Sequence, residues 1–210
     1  MIFSEKHNFL FIKNMKVGST SMEVELSKIL PDSAIVTKIN PPNKDHKPRN
    51  FRNFVNHTSW EEASKYLDLS NVMSYTIVRH PYEMVLSDFF FRSEIINTHW
   101  NSLSKLEKDR LVDYYFTDQF KNGPWMKSTR GIYTLDNKVM VSDLLRHELG
   151  LEKEINRILP KHGLPLIKMN TFEKAYRPKN ITYKDVFSKE QISLISDEWS
   201  WEFRNLGYND

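Results

Sequence analysis

Residues 8–30, NFLFIKNMKVGSTSMEVELSKIL, constrain the fold more than any other part of the chain. Phe9, Leu10, Phe11 and Ile12 form a short apolar run that fits a buried strand. Asn14 to Thr20 then reads as a turn with one Gly and a hydroxyl pair. From Ser21 onward, Met22, Leu26, Ile29 and Leu30 fall at helical spacing, and Glu23 and Glu25 are expected in the first turn, where the helix dipole favours acids. A strand that runs through a tight turn into a helix N-terminus makes an anion site, because the turn's N–H groups and the dipole converge on one spot. Gly18 lets backbone approach closely, and Ser19, Thr20 and Ser21 offer hydroxyl donors. Alone, these residues also suit a surface turn ahead of an amphipathic helix.

The 210 residues suit one domain, 1–210, and the apolar fraction of 40% with 13% aromatics argues for a packed core. A net charge of +3 accommodates an anionic ligand but does not by itself indicate nucleic acid. The chain has no cysteine, which excludes disulfides, thiolate catalysis and zinc–thiolate sites. MIFSEKHNFLFIKN has neither a long apolar stretch nor a small-residue cleavage pattern. The expectation is a soluble, cytoplasmic chain with no signal peptide, transmembrane helix or membrane partner.

Further along, Ser33 to Ile39 reads as a second strand. Residues 40–56, rich in Pro, Lys and Arg, read as a long loop. Thr58-Ser59 with Glu61-Glu62 starts a helix to about Leu67. Asn71 to Arg79 is a strand with Met73, Tyr75, Ile77 and Val78 available for burial, and Pro81 opens a helix through Ile96. Ser102 to Phe120 is one or two charged helices, stopped by Asn122-Gly123-Pro124. Residues 138–147 fit strand or helix by periodicity alone. Leu151 to Leu159 is helical up to Pro160, 161–180 is mostly loop, and Ser188 to Asn205 is a last helix closed by Gly207. Strands alternating with helices predict an α/β protein with a mainly parallel sheet flanked by helices.

Two motifs resemble the superfamily of sulfotransferases that use 3′-phosphoadenosine 5′-phosphosulfate (PAPS). The first is Lys16 followed by Gly18-Ser19-Thr20-Ser21, similar to the 5′-phosphosulfate loop. It differs from the nucleotide-triphosphatase loop, whose Lys follows its last Gly. The second is Val78-Arg79-His80-Pro81-Tyr82 with Ser87 six residues after the Pro, similar to the 3′-phosphate site. Weaker likenesses are Arg146-His147-Glu148, which favours a strand at 138–147, and Glu202-Phe203-Arg204-Asn205-Leu206-Gly207-Tyr208, like the carbohydrate-type branch, though without its membrane anchor. Met15, Val17, His80 and Met84 depart from the family's usual residues.

The resemblance implies a P-loop-like sulfotransferase fold and sulfuryl transfer from PAPS to a hydroxyl or amine of a carbohydrate-like acceptor, with no metal required. Lys16, Val17, Gly18, Ser19, Thr20 and Ser21 would hold the 5′-phosphosulfate, and Arg79 and Ser87 the 3′-phosphate, with Arg130 and Lys127 as further phosphate contacts. Lys16 would stabilise the leaving phosphate, and His57 is the candidate base. His57 equally fits a role in packing the helix start at 58–60, and Arg79 equally fits a pairing with a nearby carboxylate, with Ser87 facing solvent. His46, read as a solvated loop residue, and Glu61 and Glu62 are rival bases. Residues 38–56 would face the acceptor; Lys44, Lys47, Arg49 and Arg52 with Phe51 and Phe54 suit an acidic glycan or a solvated loop with two anchoring rings. The rival readings are a P-loop-type kinase, an inactive nucleotide-binding relative, and a nucleic-acid-binding protein built on 44–54; the leading one expects no nucleic-acid partner.

Overall fold

A computed structural model describes residues 1–92, 99–122, 129–170 and 176–209. The expected helix end near Ile96, the stop at Gly123-Pro124 and the candidate Lys127 lie outside them. The strands are β1 (Ile2–Ser4), β2 (Phe9–Ile12), β3 (Ile35–Val36), β4 (Met73–Val78), β5 (Thr134–Leu135), β6 (Lys138–Val139) and β7 (Asp143–Arg146). The α-helices are α1 (Ser19–Ile29), α2 (Trp60–Ser64), α3 (Pro81–Arg92), α4 (Lys105–Tyr114), α5 (Leu151–Ile158), α6 (Tyr183–Val186), α7 (Lys189–Glu198) and α8 (Ser200–Leu206). The fold is α/β, with a mixed, mostly parallel sheet flanked by helices. Among the described residues no helix is long and apolar enough to cross a membrane.

The chain divides into two compact units, Met1–Val78 with Thr129–Glu173 and Arg79–Ser128 with Lys174–Asp210. The first unit holds the whole five-stranded sheet, in the order β3-β1-β2-β4-β7. β2, β4 and β7 are parallel; β1 runs against both β2 and β3. Every residue of β2 is fully buried, which is why its sequence is a continuous apolar run. β4 buries Ser74 to Val78, but Met73, expected inside, is 41% exposed at the strand's open start.

β1 was not legible as a strand. Its three residues pair with β2 through a turn that closes on Asn8 in the left-handed conformation. β3 pairs with β1 and, at Val36, bridges to Arg49, and the expected strand at 33–39 shrinks to Ile35–Val36. The turn is further fixed by a reciprocal pair: His7 Nδ1 donates to the His162 carbonyl and His162 Nδ1 donates to that of His7, both at 2.8 Å. His162 Nε2 then accepts from the Tyr75 hydroxyl.

In the second unit α3 carries the aromatic packing. Phe89 stacks edge-on with Phe90, Trp100, Tyr115 and Phe187. Tyr115 and Phe116 open a π-helical turn, Tyr115–Phe120, which continues α4 and buries Tyr115, Phe116 and Phe120. The last helix, expected to run unbroken, turns at the buried Trp199 into α7 and α8. α6, one turn long with a Thr182–Asp185 capping box, falls between the loop read at 161–180 and the last helix, in a stretch given no reading.

Candidate functional site

The chain leaves β2 towards β3 on one side of the sheet and returns to β4 on the other. β2 is thus the point where strand order reverses, and ligands of open α/β sheets bind at the carboxyl ends of strands there. The segment at that end is Lys13 to Ser21.

Asn14 pins the loop. Its amide donates to the Ile77 carbonyl of β4 at 3.2 Å, and its side-chain oxygen accepts from the Met15 N–H at 2.8 Å. Its backbone carbonyl accepts a hydrogen bond from the Ser19 hydroxyl. Ser19 is buried and its hydroxyl is committed to the loop rather than offered to a ligand. Lys16 (φ 57°) and Gly18 (φ 79°) are both left-handed, an alternation of the kind that builds backbone anion nests. Val17, between them, is fully buried, so only its backbone can serve a ligand. α1 then opens on Gly18 without a side-chain cap, so its first N–H groups have no intrahelical acceptor.

Gly18 is favoured here by its positive φ, and it sits close to the flexible end of Leu151. A Cβ on it would lie 2.6 Å from Leu151 Cδ1 and 3.6 Å from His147 Cδ2. The turn His147–Leu149 after β7 and the start of α5 therefore pack against the loop. Sequence reasoning used His147 only as part of a strand likeness; its place beside Gly18 came from the β4–β7 pairing.

Glu23 was misread. It is not a first-turn acid: α1 begins at Ser19, and the side chain is fully buried. Its carboxylate meets Lys13 Nζ at 2.7 Å and the Met1 α-amine at 3.1 Å. Burial alone would raise its pKa, but these two charges hold it below the usual range. Lys13, equally buried, also donates to Asn56 Oδ1 at 2.7 Å.

Lys13 positions His57 as well. His57 Nδ1 lies 3.0 Å from the Lys13 carbonyl, so Nδ1 carries the proton and Nε2 is the basic nitrogen of the neutral ring. Burial pushes the His57 pKa down to about 4; the bond to the Lys13 carbonyl opposes this, and the nearby Lys13 and α-amino charges add to it. The ring is therefore neutral at pH 7. His46, expected in solvent, is instead buried, and burial lowers its pKa. Among the described residues its Nε2 has no hydrogen-bond partner.

The basic loop divides its labour. Arg49 is spent on the fold: its guanidinium donates to the carbonyls of Ser27, Leu30 and Pro31 at the end of α1, and to that of Lys47. Those are orphan carbonyls at the negative end of a helix dipole. Lys44, Lys47 and Arg52 are exposed. Phe54 is buried against Tyr66, and Lys38 lies over the Phe51 ring. Glu61 pairs with Lys65, and Glu62 closes the capping box with Ser59, so both serve α2.

In the second unit, Arg79 Nη2 meets Glu83 Oε2 at 3.3 Å, and Arg177 Nη1 reaches the same oxygen. Ser87 is half-buried on α3, with no side-chain hydrogen bond among the described residues. The structure thus places His147 beside Gly18 and His57 against Lys13 at the start of the first unit's loop, and brings Arg79 and Arg177 to the Glu83 carboxylate in the second. Arg130 opens the turn Arg130–Ile132, where its carbonyl accepts from Thr134 Oγ1 and from the Tyr133 N–H.

What the fold and site define is an α/β protein with a strand–loop–helix at the switch point of its sheet, whose backbone geometry suits an anion. Comparison with protein-family models, with curated proteins and with solved structures finds no significant match to the chain.

Proposed function

We propose that this chain is a PAPS-dependent sulfotransferase with a P-loop-like fold, acting on a hydroxyl or amine of a carbohydrate-like acceptor. The observation that carries the reading is the Asn14-pinned loop, with left-handed Lys16 and Gly18 opening α1 at the carboxyl end of β2. It offers backbone N–H groups, a helix N-terminus and one Lys to an anion, which is what a phosphosulfate needs. Arg79, which follows β4 directly in the chain, and Ser87 bind the 3′-phosphate in this reading.

PAPS supplies the activated sulfuryl group, whose S–O bond to the 5′-phosphate breaks as the bond to the acceptor oxygen forms. Lys16 and the loop N–H groups take up the charge gathering on the released phosphate oxygen. His57 Nε2 receives the acceptor's proton. Its low pKa makes it a weak base by itself; an anion held by the loop raises it towards the working range, where proton transfer is most efficient. The exposed Lys44, Lys47 and Arg52 suit an acceptor with carboxylates.

The test is transfer of labelled sulfate from PAPS to a panel of neutral and uronate-containing oligosaccharides, without added metal. Wild type is expected to label at least one acceptor, with Lys16→Ala lowering kcat by about 100-fold or more. Failure to label any acceptor, or labelling unaffected by Lys16→Ala, would count against the proposal.

A further inference from the structure

The 3′-phosphate subsite proposed above contains an acid. Arg79 meets the Glu83 carboxylate, and Glu83 and Ser87 lie four residues apart on α3, so an acid sits among the groups assigned to a dianion. A carboxylate there repels a phosphate unless its charge is met elsewhere. It is met by Arg177, which comes from a distant part of the chain and binds the same oxygen as Arg79. The two arginines are not equivalent. Arg177 is 34% exposed, whereas Arg79, next to the end of β4, is 11% exposed. Carboxylate and phosphate are interchangeable partners for a guanidinium.

We infer that Glu83 is an intramolecular competitor for the 3′-phosphate. It occupies Arg79 when no phosphate is bound and stays with Arg177 when the phosphate takes Arg79. Arg177 then acts by holding the carboxylate aside. The inference rests on the sulfotransferase reading for its ligand, but the exchange itself is a property of these three side chains. It gives the subsite a threshold: a ligand must out-compete an internal carboxylate, which a 3′-phosphate does and a ribose hydroxyl does not.

The test is calorimetric titration of 3′,5′-adenosine bisphosphate and of 5′-AMP into wild type, Glu83→Gln, Arg177→Ala and the double variant, with thermal melts to confirm folding. Glu83→Gln is expected to tighten bisphosphate binding about five- to tenfold and to leave 5′-AMP unmoved. Arg177→Ala is expected to weaken bisphosphate binding when Glu83 is present and to have no effect in the Glu83→Gln background. Unchanged or weaker bisphosphate binding by Glu83→Gln overturns the inference, and if wild type still prefers the bisphosphate, the sulfotransferase reading stands without it. Equal weakening by Arg177→Ala in both backgrounds also overturns it, making Arg177 a direct phosphate ligand. A 3′-phosphate preference that emerges only in Glu83→Gln supports the competition and counts against the function. No preference in any variant overturns both.

Discussion

Gly18 and His57 carry the loop's demands at the scale of single residues. Gly18→Ala places a methyl 2.6 Å from Leu151 Cδ1 at a φ of 79°. It is expected to cost about 2–3 kcal/mol in urea unfolding. Adding Leu151→Ala should not restore full stability, because the backbone strain remains. His57 makes stability depend on pH. Its folded pKa, about 4, lies below the ordinary 6.5, so the unfolded chain binds its proton first. Its contribution is complete above about pH 6.5, is lost as the pH falls towards 4, and amounts to roughly 3 kcal/mol at most. Urea midpoints compared at pH 7.5 and pH 4.5 should therefore fall less in His57→Asn than in wild type. An NMR titration of the His57 ring should also show its pKa rising when 3′,5′-adenosine bisphosphate binds.

The elements differ in how far they could be read from sequence. α2 and α7 were legible at their starts because a capping box is local: Ser59 with Glu62, and Ser188 with Gln191, declare themselves within four residues. β2 was legible because burial on both faces leaves only apolar residues. β1 was not, because three residues show no period and its partners lie elsewhere in the chain. Nor was the tie between β2 and α1. Glu23 read as a first-turn acid and no pattern singled out Lys13, yet they form a buried pair that joins the strand's end to the second turn of the helix. Lys13→Met leaves Glu23 with the Met1 α-amine and the Thr37 hydroxyl as partners, and frees Asn56 beside His57. The expected loss is about 3 kcal/mol, measured by urea unfolding at pH 7. Arg49→Ala, which strips the end of α1 of its donors, should cost about 1–2 kcal/mol by the same measurement.

For the whole molecule, the sequence supported an α/β fold and located the strand–loop–helix, since both follow from alternation and from one contiguous stretch. The order β3-β1-β2-β4-β7, which makes that loop the switch point, depends on long-range pairing and was not legible. The same holds for the partners of the proposed phosphate ligands. Arg79 at a strand end was readable as an anion ligand or as half of an ion pair, and the structure shows the ion pair, with an Arg177 that no local pattern connected to it. The most direct test of the function is calorimetric titration of 3′,5′-adenosine bisphosphate against 5′-AMP, without metal, on wild type and Arg79→Ala. The sulfotransferase reading expects the bisphosphate to bind at least tenfold more tightly, and Arg79→Ala to remove most of that difference. Equal affinity for the two nucleotides, or a preference that survives Arg79→Ala unchanged, would contradict it.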